Sequence, residues 1–148
     1  GEVVKDGPGT VTLTSEKTTA DFFVTEGSLQ VNGAAGTVTV AVGAAIGGQG
    51  KVTRIVFQDG AILDAAAGAL TAGSIAAATP TLLDKSLPDG ATLPATATVT
   101  VRNAKEGLVL SCASIPEGLT FVTESGTLEV KDGGLHYVPA PGYRLSLR

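Results

Sequence analysis

The residues able to do chemistry are few in this chain, and the most suggestive group is a pair of carboxylates with one guanidinium. Asp59 and Asp64 stand five positions apart across the turn at Gly60, with Arg54 one strand earlier. Glycosidic bonds are cleaved by carboxyl pairs acting as acid and base, so Arg54, Asp59 and Asp64 form the candidate carbohydrate site. The competing use of the same groups is structural. Asp59-Gly60 makes a turn, Asp64 sits at a corner of the chain, and each carboxylate accepts backbone N–H bonds. The structural use is the better fit, because sugar-cleaving clefts also employ aromatic platforms and the four Phe and two Tyr are scattered.

Other chemistries lack parts. His136 is the single histidine, so a Ser/His/Asp triad would have to run through it and histidine-rich metal sites are excluded. It alternates with Leu135 and Tyr137, which places it on the outer face of a terminal strand. Cys112 is the single cysteine, so no intramolecular disulfide, multi-thiolate metal site or CxxC centre can form; it reads as a small buried hydrophobe. Gly47-Gly48-Gln49-Gly50-Lys51 leads into the strand-like Val52–Phe57 instead of a helix and is therefore a corner, not a phosphate loop. Glu124, Glu129 and Asp132 read as a solvated acidic face, and no Ca²⁺ loop occurs. No catalytic residue, cofactor or metal is expected.

The elements that position these groups read as strands. Of 148 residues 43% are hydrophobic, yet aromatics are 4% and Met and Trp are absent, leaving Ala, Val, Leu and Ile with twenty glycines. Such side chains stack in close layers but line deep pockets poorly. Period-two alternation recurs at Val11 and Leu13, Leu29 and Val31, Val38, Val40 and Val42, Val99 and Val101, Leu108 and Leu110, Leu119 and Phe121, Leu128 and Val130, and Leu135 and Tyr137. Each run is short and bounded by turn-forming residues, so the chain is expected to be all-β.

The first half also repeats. Gly27, Gly43 and Gly60 each open a turn before an apolar residue, 16 and 17 positions apart, and Gly73 is expected to open a shortened fourth unit. A period near 20 predicts a β-solenoid whose inward side chains stack in ladders. Residues 64–79 are expected to form narrow coils, with a short helix over their alanine runs as the alternative. From Thr79-Pro80 prolines punctuate the text and Pro88-Asp89-Gly90 is a turn, so the coils should stop there. The expected organisation is solenoid coils over 1–79, a Pro-rich connection over 80–94, and an antiparallel β cap over 95–148. Within the cap, one hairpin joins Leu119–Phe121 to Leu128–Val130 and a second joins the latter to Leu135–Tyr137.

Gly27–Gly33, Gly36–Val40 and Ala44–Val52 resemble the autotransporter-associated β-strand repeats found in the passenger regions of large secreted bacterial surface proteins, and Val56–Leu63 is similar to their next coil. The resemblance covers about residues 9–75. It implies a right-handed parallel β-helix, export through the cell envelope and a place at the cell surface, and it carries no catalytic residues.

Charge and ends bear on partners. Ten Lys plus Arg against fourteen Asp plus Glu give a net charge of -4, which repels phosphate backbones, so nucleic acid is not expected. Charged residues are 16%, below the roughly 25% of ordinary soluble domains, which suits a secreted protein. No apolar run approaches the ~18 residues of a membrane span. The Gly-Glu start reads as that of a mature or excised piece. A coil stack leaves unpaired edges, and the one near Val3, Val4, Val11 and Leu13 is shielded in this reading only by Glu2, Lys5 and Asp6. That edge is the expected self-association site, adding strands end to end into filaments. The expected function is a noncatalytic, structural or adhesive segment with a glycan or surface partner; a carbohydrate-active enzyme or binding module is the alternative.

Overall fold

A computed structural model describes residues 2–17, 19–78, 96–131 and 133–140. Among these residues the chain forms strands and no helix. They are β1 (Glu2–Lys5), β2 (Thr10–Leu13), β3 (Asp21–Val24), β4 (Ser28–Val31), β5 (Ala34–Val40), β6 (Ala45–Gly47) and β7 (Lys51–Phe57), followed by β8 (Ile62–Asp64), β9 (Leu70–Ala77), β10 (Ala97–Arg102), β11 (Gly107–Ser111), β12 (Leu119–Thr123), β13 (Thr127–Lys131) and β14 (Gly134–Val138). Strands alternate between two sheets. One has eight strands in the order β1-β3-β5-β7-β9-β11-β14-β13, and the other has six in the order β12-β10-β8-β6-β4-β2. All pairs up to β12 are parallel, so the chain winds as a β-solenoid of about five turns.

Stacking of like positions builds the core. Phe22, Val38, Ile55 and Ile75 are partners in consecutive coils, as are Val24, Val40, Phe57 and Ala77. Across from them Leu29, Ile46, Leu63 and Val101 form a third column. Eleven of these twelve are buried and Ala77 is half-buried, packed against the rest. The long strands also bend. Val52 and Ile55 both face inward with exposed Thr53 and Arg54 between them, a spacing of three that a straight strand of period two cannot provide. Ala35 and Val38, and Ala72 and Ile75, share these positions in the neighbouring coils, so the bend recurs at the same place.

Corners repeat as well. Gly7, Gly27, Gly43 and Gly60 take φ of 81°, 74°, 76° and 92° where the chain crosses from the eight-stranded to the six-stranded sheet. Only glycine adopts that conformation without strain, which accounts for the repeat legible in the sequence. Gly73 does not belong to this series: it lies within β9 between Ala72 and Ser74, the partners of Val52 and Arg54 at the bend, and has no positive φ. Residues 64–77 contain no helix, and β9 provides the eight-residue strand there.

The C-terminal part is more solenoidal than expected. β10 pairs in parallel with both β8 and β12, and β11 with β9, so the coils continue through Thr123. The anticipated hairpin between Leu119–Phe121 and Leu128–Val130 is absent, because β12 and β13 lie in different sheets and the intervening residues form a corner. The second hairpin is present. β13 and β14 pair antiparallel, and β14 pairs antiparallel with β11, making a cap two strands wide. The Pro-rich connection over 80–94 and its Pro88-Asp89-Gly90 turn lie outside the described residues. Its insertion leaves the stack in register: Ser28, Ala45, Ile62 and Thr100 are consecutive partners, although the steps between them are 17, 17 and 38 positions.

A second correction concerns Lys5. Instead of shielding the edge from solvent, it occupies the inward column of Val24, Val40 and Phe57 and is 7% exposed. Its Nζ donates to the carbonyls of Asp6, Gly7 and Glu26 at 3.0, 2.7 and 3.0 Å, which uses all three donors of the ammonium.

Val40 and Ile55 are both 0% exposed at the centre of the stack. Val40→Asp or Ile55→Asp should cost about 4 kcal/mol or more, a large share of the ~5–15 kcal/mol that holds a domain folded. Urea unfolding followed by far-UV circular dichroism should show loss of the cooperative transition. A variant that unfolds like the parent would place its side chain outside the core.

Candidate functional site

The candidate carbohydrate residues are not brought together. Arg54 is exposed at the bend of β7 in the eight-stranded sheet, Asp59 lies in the corner that follows, and Asp64 ends β8 in the other sheet. Both carboxylates are engaged elsewhere. Asp59 Oδ1 accepts from the backbone N–H of Thr98 at 2.9 Å, tying its corner to β10 in the next coil. Asp64 Oδ1 accepts from the Ala66 N–H and from Asn103 Nδ2, both at 3.1 Å, and its Oδ2 accepts from Arg102 Nη2 at 3.2 Å. The guanidinium partner of Asp64 is thus Arg102, a register neighbour 38 positions away, and not Arg54.

Burial alone would raise the Asp64 pKa, but the Ala66 N–H, the Asn103 amide and the Arg102 guanidinium outweigh it and hold the carboxyl below its ordinary 3.8. Asn103 adopts φ of 60°, an uncommon left-handed conformation for a residue other than glycine, and from it supplies its amide to Asp64.

Beside this corner is a cavity of about 460 Å³, within the range of small-molecule clefts. Arg102, Asn103, Glu124 and Ser125 provide polar lining, while Ile62, Ala104 and Tyr137 provide apolar lining. Tyr137 is buried, and its hydroxyl lies 3.3 Å from Ser125 Oγ. Glu124 follows Thr123, the register partner of Val101, so β12 delivers it next to Arg102. No single stretch of sequence carries this group: β10 brings Arg102, the corner after β12 brings Glu124 and Ser125, and the cap strand β14 brings Tyr137. The sequence marked Glu124 only as part of a solvated acidic face, Tyr137 only as a strand residue and Asp64 only as a corner, and the pairing across 38 positions hid Arg102.

His136 and Cys112 lie on or beside the strands of the cap and the last coils. His136 is half-buried on β14, between register partners Leu108 and Glu129, with its Nε2 buried and without a hydrogen-bond partner among the described residues. Glu129 instead pairs with Lys131 at 3.5 Å. Cys112 is buried immediately after β11, which pushes its thiol pKa up and keeps it protonated. The described residues contain no group of three or more His, Cys, Asp and Glu able to hold a metal, and no helix long and apolar enough to cross a membrane. The proposed association edge lies on β1 and β2, the outermost described strands of their sheets, with Val3, Val4 and Val11 48%, 60% and 43% exposed and Leu13 half-buried.

No protein-family model, curated protein or solved structure matches this chain.

The Asp64 network makes stability depend on pH in a definite direction. A carboxyl whose folded pKa lies below its unfolded value contributes stability that is fully present above 3.8 and is lost as pH falls through the lower folded value. The stability gap between the parent and Asp64→Asn should therefore be constant at neutral pH and narrow below 3.8. Urea midpoints measured from pH 7 down to acid test this, and a gap independent of pH would show that the ionised carboxylate is not what the corner uses.

Proposed function

We propose that this chain is a noncatalytic structural or adhesive segment of an extracellular bacterial surface protein, a rigid solenoid that spaces or displays what it carries. The observation behind this is how its polar corner residues are used. Asp21 accepts from the Thr37 N–H at 2.8 Å, Asn32 from the Gln49 N–H at 3.3 Å and Asp59 from the Thr98 N–H at 2.9 Å, each bond joining one coil to the next. Thr25 donates its hydroxyl to the Lys5 carbonyl at 2.9 Å in the same manner. Carboxylates committed to backbone N–H groups are poor proton shuttles and good fasteners. The Gly, Thr and Val texture shared with autotransporter-associated repeats supports the extracellular, cell-surface part of the proposal.

A polysaccharide screen tests it. The parent protein is expected to release no reducing ends from any substrate. Turnover that disappears in Asp64→Asn would overturn the noncatalytic reading and restore the enzyme alternative.

The proposal extends to association through the open edge. β13 is antiparallel to β14, which is antiparallel to β11, so β13 runs in the same direction as β1 at the opposite edge of the same sheet. A second copy could add its β1 beside β13 in parallel and continue the eight-stranded sheet, a head-to-tail contact that does not close. Because that sheet exceeds its partner by two strands, the six-stranded sheets would not meet in register. Light scattering should show association growing with concentration and suppressed by Val4→Pro, because Lys5 turns its backbone toward β3 and Val4 therefore turns its own to the open edge, where proline cannot donate to a ladder. A protein that stays monomeric throughout would remove association from the proposal, as would assembly indifferent to the proline.

A further inference from the structure

The cavity at the Arg102–Asn103 corner has a composition that the structural reading does not use. Most corner residues of the solenoid are occupied by their neighbours, but here polar groups with spare capacity meet apolar surface. The Arg102 side chain is 49% exposed, and one of its guanidinium nitrogens meets Asp64, which leaves further donors of the fork open to solvent. Asn103 is exposed; its Nδ2 donates to Asp64, and its amide oxygen accepts no hydrogen bond among the described residues. Glu124 and Ser125, both exposed, add a carboxylate and a hydroxyl, while Ile62 and Tyr137 add apolar wall.

Charge narrows the ligand class. Among the described residues Arg102 is the single cation lining the cavity; it pairs with Asp64, and Glu124 lines the same cavity. The local balance is one positive group against two negative ones, which disfavours phosphates, sulfates and carboxylates. A neutral ligand must then satisfy both donors and acceptors while offering carbon-bound hydrogen to the apolar wall. Sugars do this, because each hydroxyl donates and accepts and the ring presents a C–H face. We infer that this cavity binds a neutral hexose unit of a glycan, held by Arg102, Asn103, Glu124 and Ser125 against Ile62 and Tyr137. The inference deepens the adhesive side of the proposed function and rests on the extracellular setting of that proposal. It places sugar recognition away from Arg54 and Asp59, at a corner where no bond need be broken.

Nuclear magnetic resonance titration of the ¹⁵N-labelled chain with glucose, galactose, mannose and glucuronate tests it. At least one neutral hexose should shift the amides of residues 100–104 and 123–125 in a saturable way, and glucuronate should bind more weakly. Asn103→Gly is the informative variant: glycine accommodates the φ of 60° without strain, so folding should persist while loss of the side-chain amide weakens binding about tenfold. The inference fails if no neutral hexose moves these amides, if glucuronate binds more tightly, or if folded Asn103→Gly binds like the parent. Absence of binding leaves the structural proposal standing. Cleavage of a glycosidic bond in an oligosaccharide of the hexose that binds would overturn the noncatalytic proposal while leaving the site in place.

Discussion

Every inward side chain of this solenoid has to fit between the residues at the same position one coil above and one coil below. That requirement sets the composition, because Val, Ile, Leu, Ala and an occasional Phe are the shapes that stack on themselves at the spacing of neighbouring strands. It also explains why the bend between Val52 and Ile55 has counterparts at Ala35–Val38 and Ala72–Ile75. A bend in one coil alone would push its inward residues out of their columns. The corner glycines follow from the same constraint, since the crossing to the other sheet must occur at the same height in each coil.

Polar residues are then left with the corners, where strand pairing stops and backbone N–H groups lack partners. Asp21, Asn32, Asp59 and Asp64 each answer one of these. An unpaired backbone donor that is removed from water costs about as much as a lost hydrogen bond, so the corners are where a short acidic or amide side chain contributes most. At Asp64 the arrangement goes further: a guanidinium, a strained asparagine and a neighbouring cavity converge where the cap begins. Lys5 follows the same logic at the opposite end, with three carbonyls answering one ammonium.

The legible parts of the fold were those set by local pattern. Val38-Thr39-Val40 and Leu29-Gln30-Val31 announce half-buried strands, and Gly27, Gly43 and Gly60 announce the period. What was hidden depends on partners far away in sequence. Thr123–Thr127 has the residues of a hairpin turn, and the same residues make a corner; the difference lies in whether the following strand bonds back to β12 or crosses to the other sheet. Lys5 looks like an edge charge until the carbonyls of Asp6, Gly7 and Glu26 are seen around it. Asp64 was legible as a corner, whereas Arg102 and Asn103 were not legible as its partners, because the regular step of 17 gives way to 38 just before them.

That long step has a consequence for how such a chain can change. The columns of the core register only where each strand lies, not how much chain is spent between strands, and extending a loop twofold costs about 0.6 kcal/mol in closure entropy. A corner is therefore a place where length is nearly free. The ladder from Ile62 to Thr100 closes as well as the ladder from Ala45 to Ile62, although more than twice as many residues separate its rungs. A lineage built on this plan could vary its outer surface by insertion at corners while its core stays unaltered.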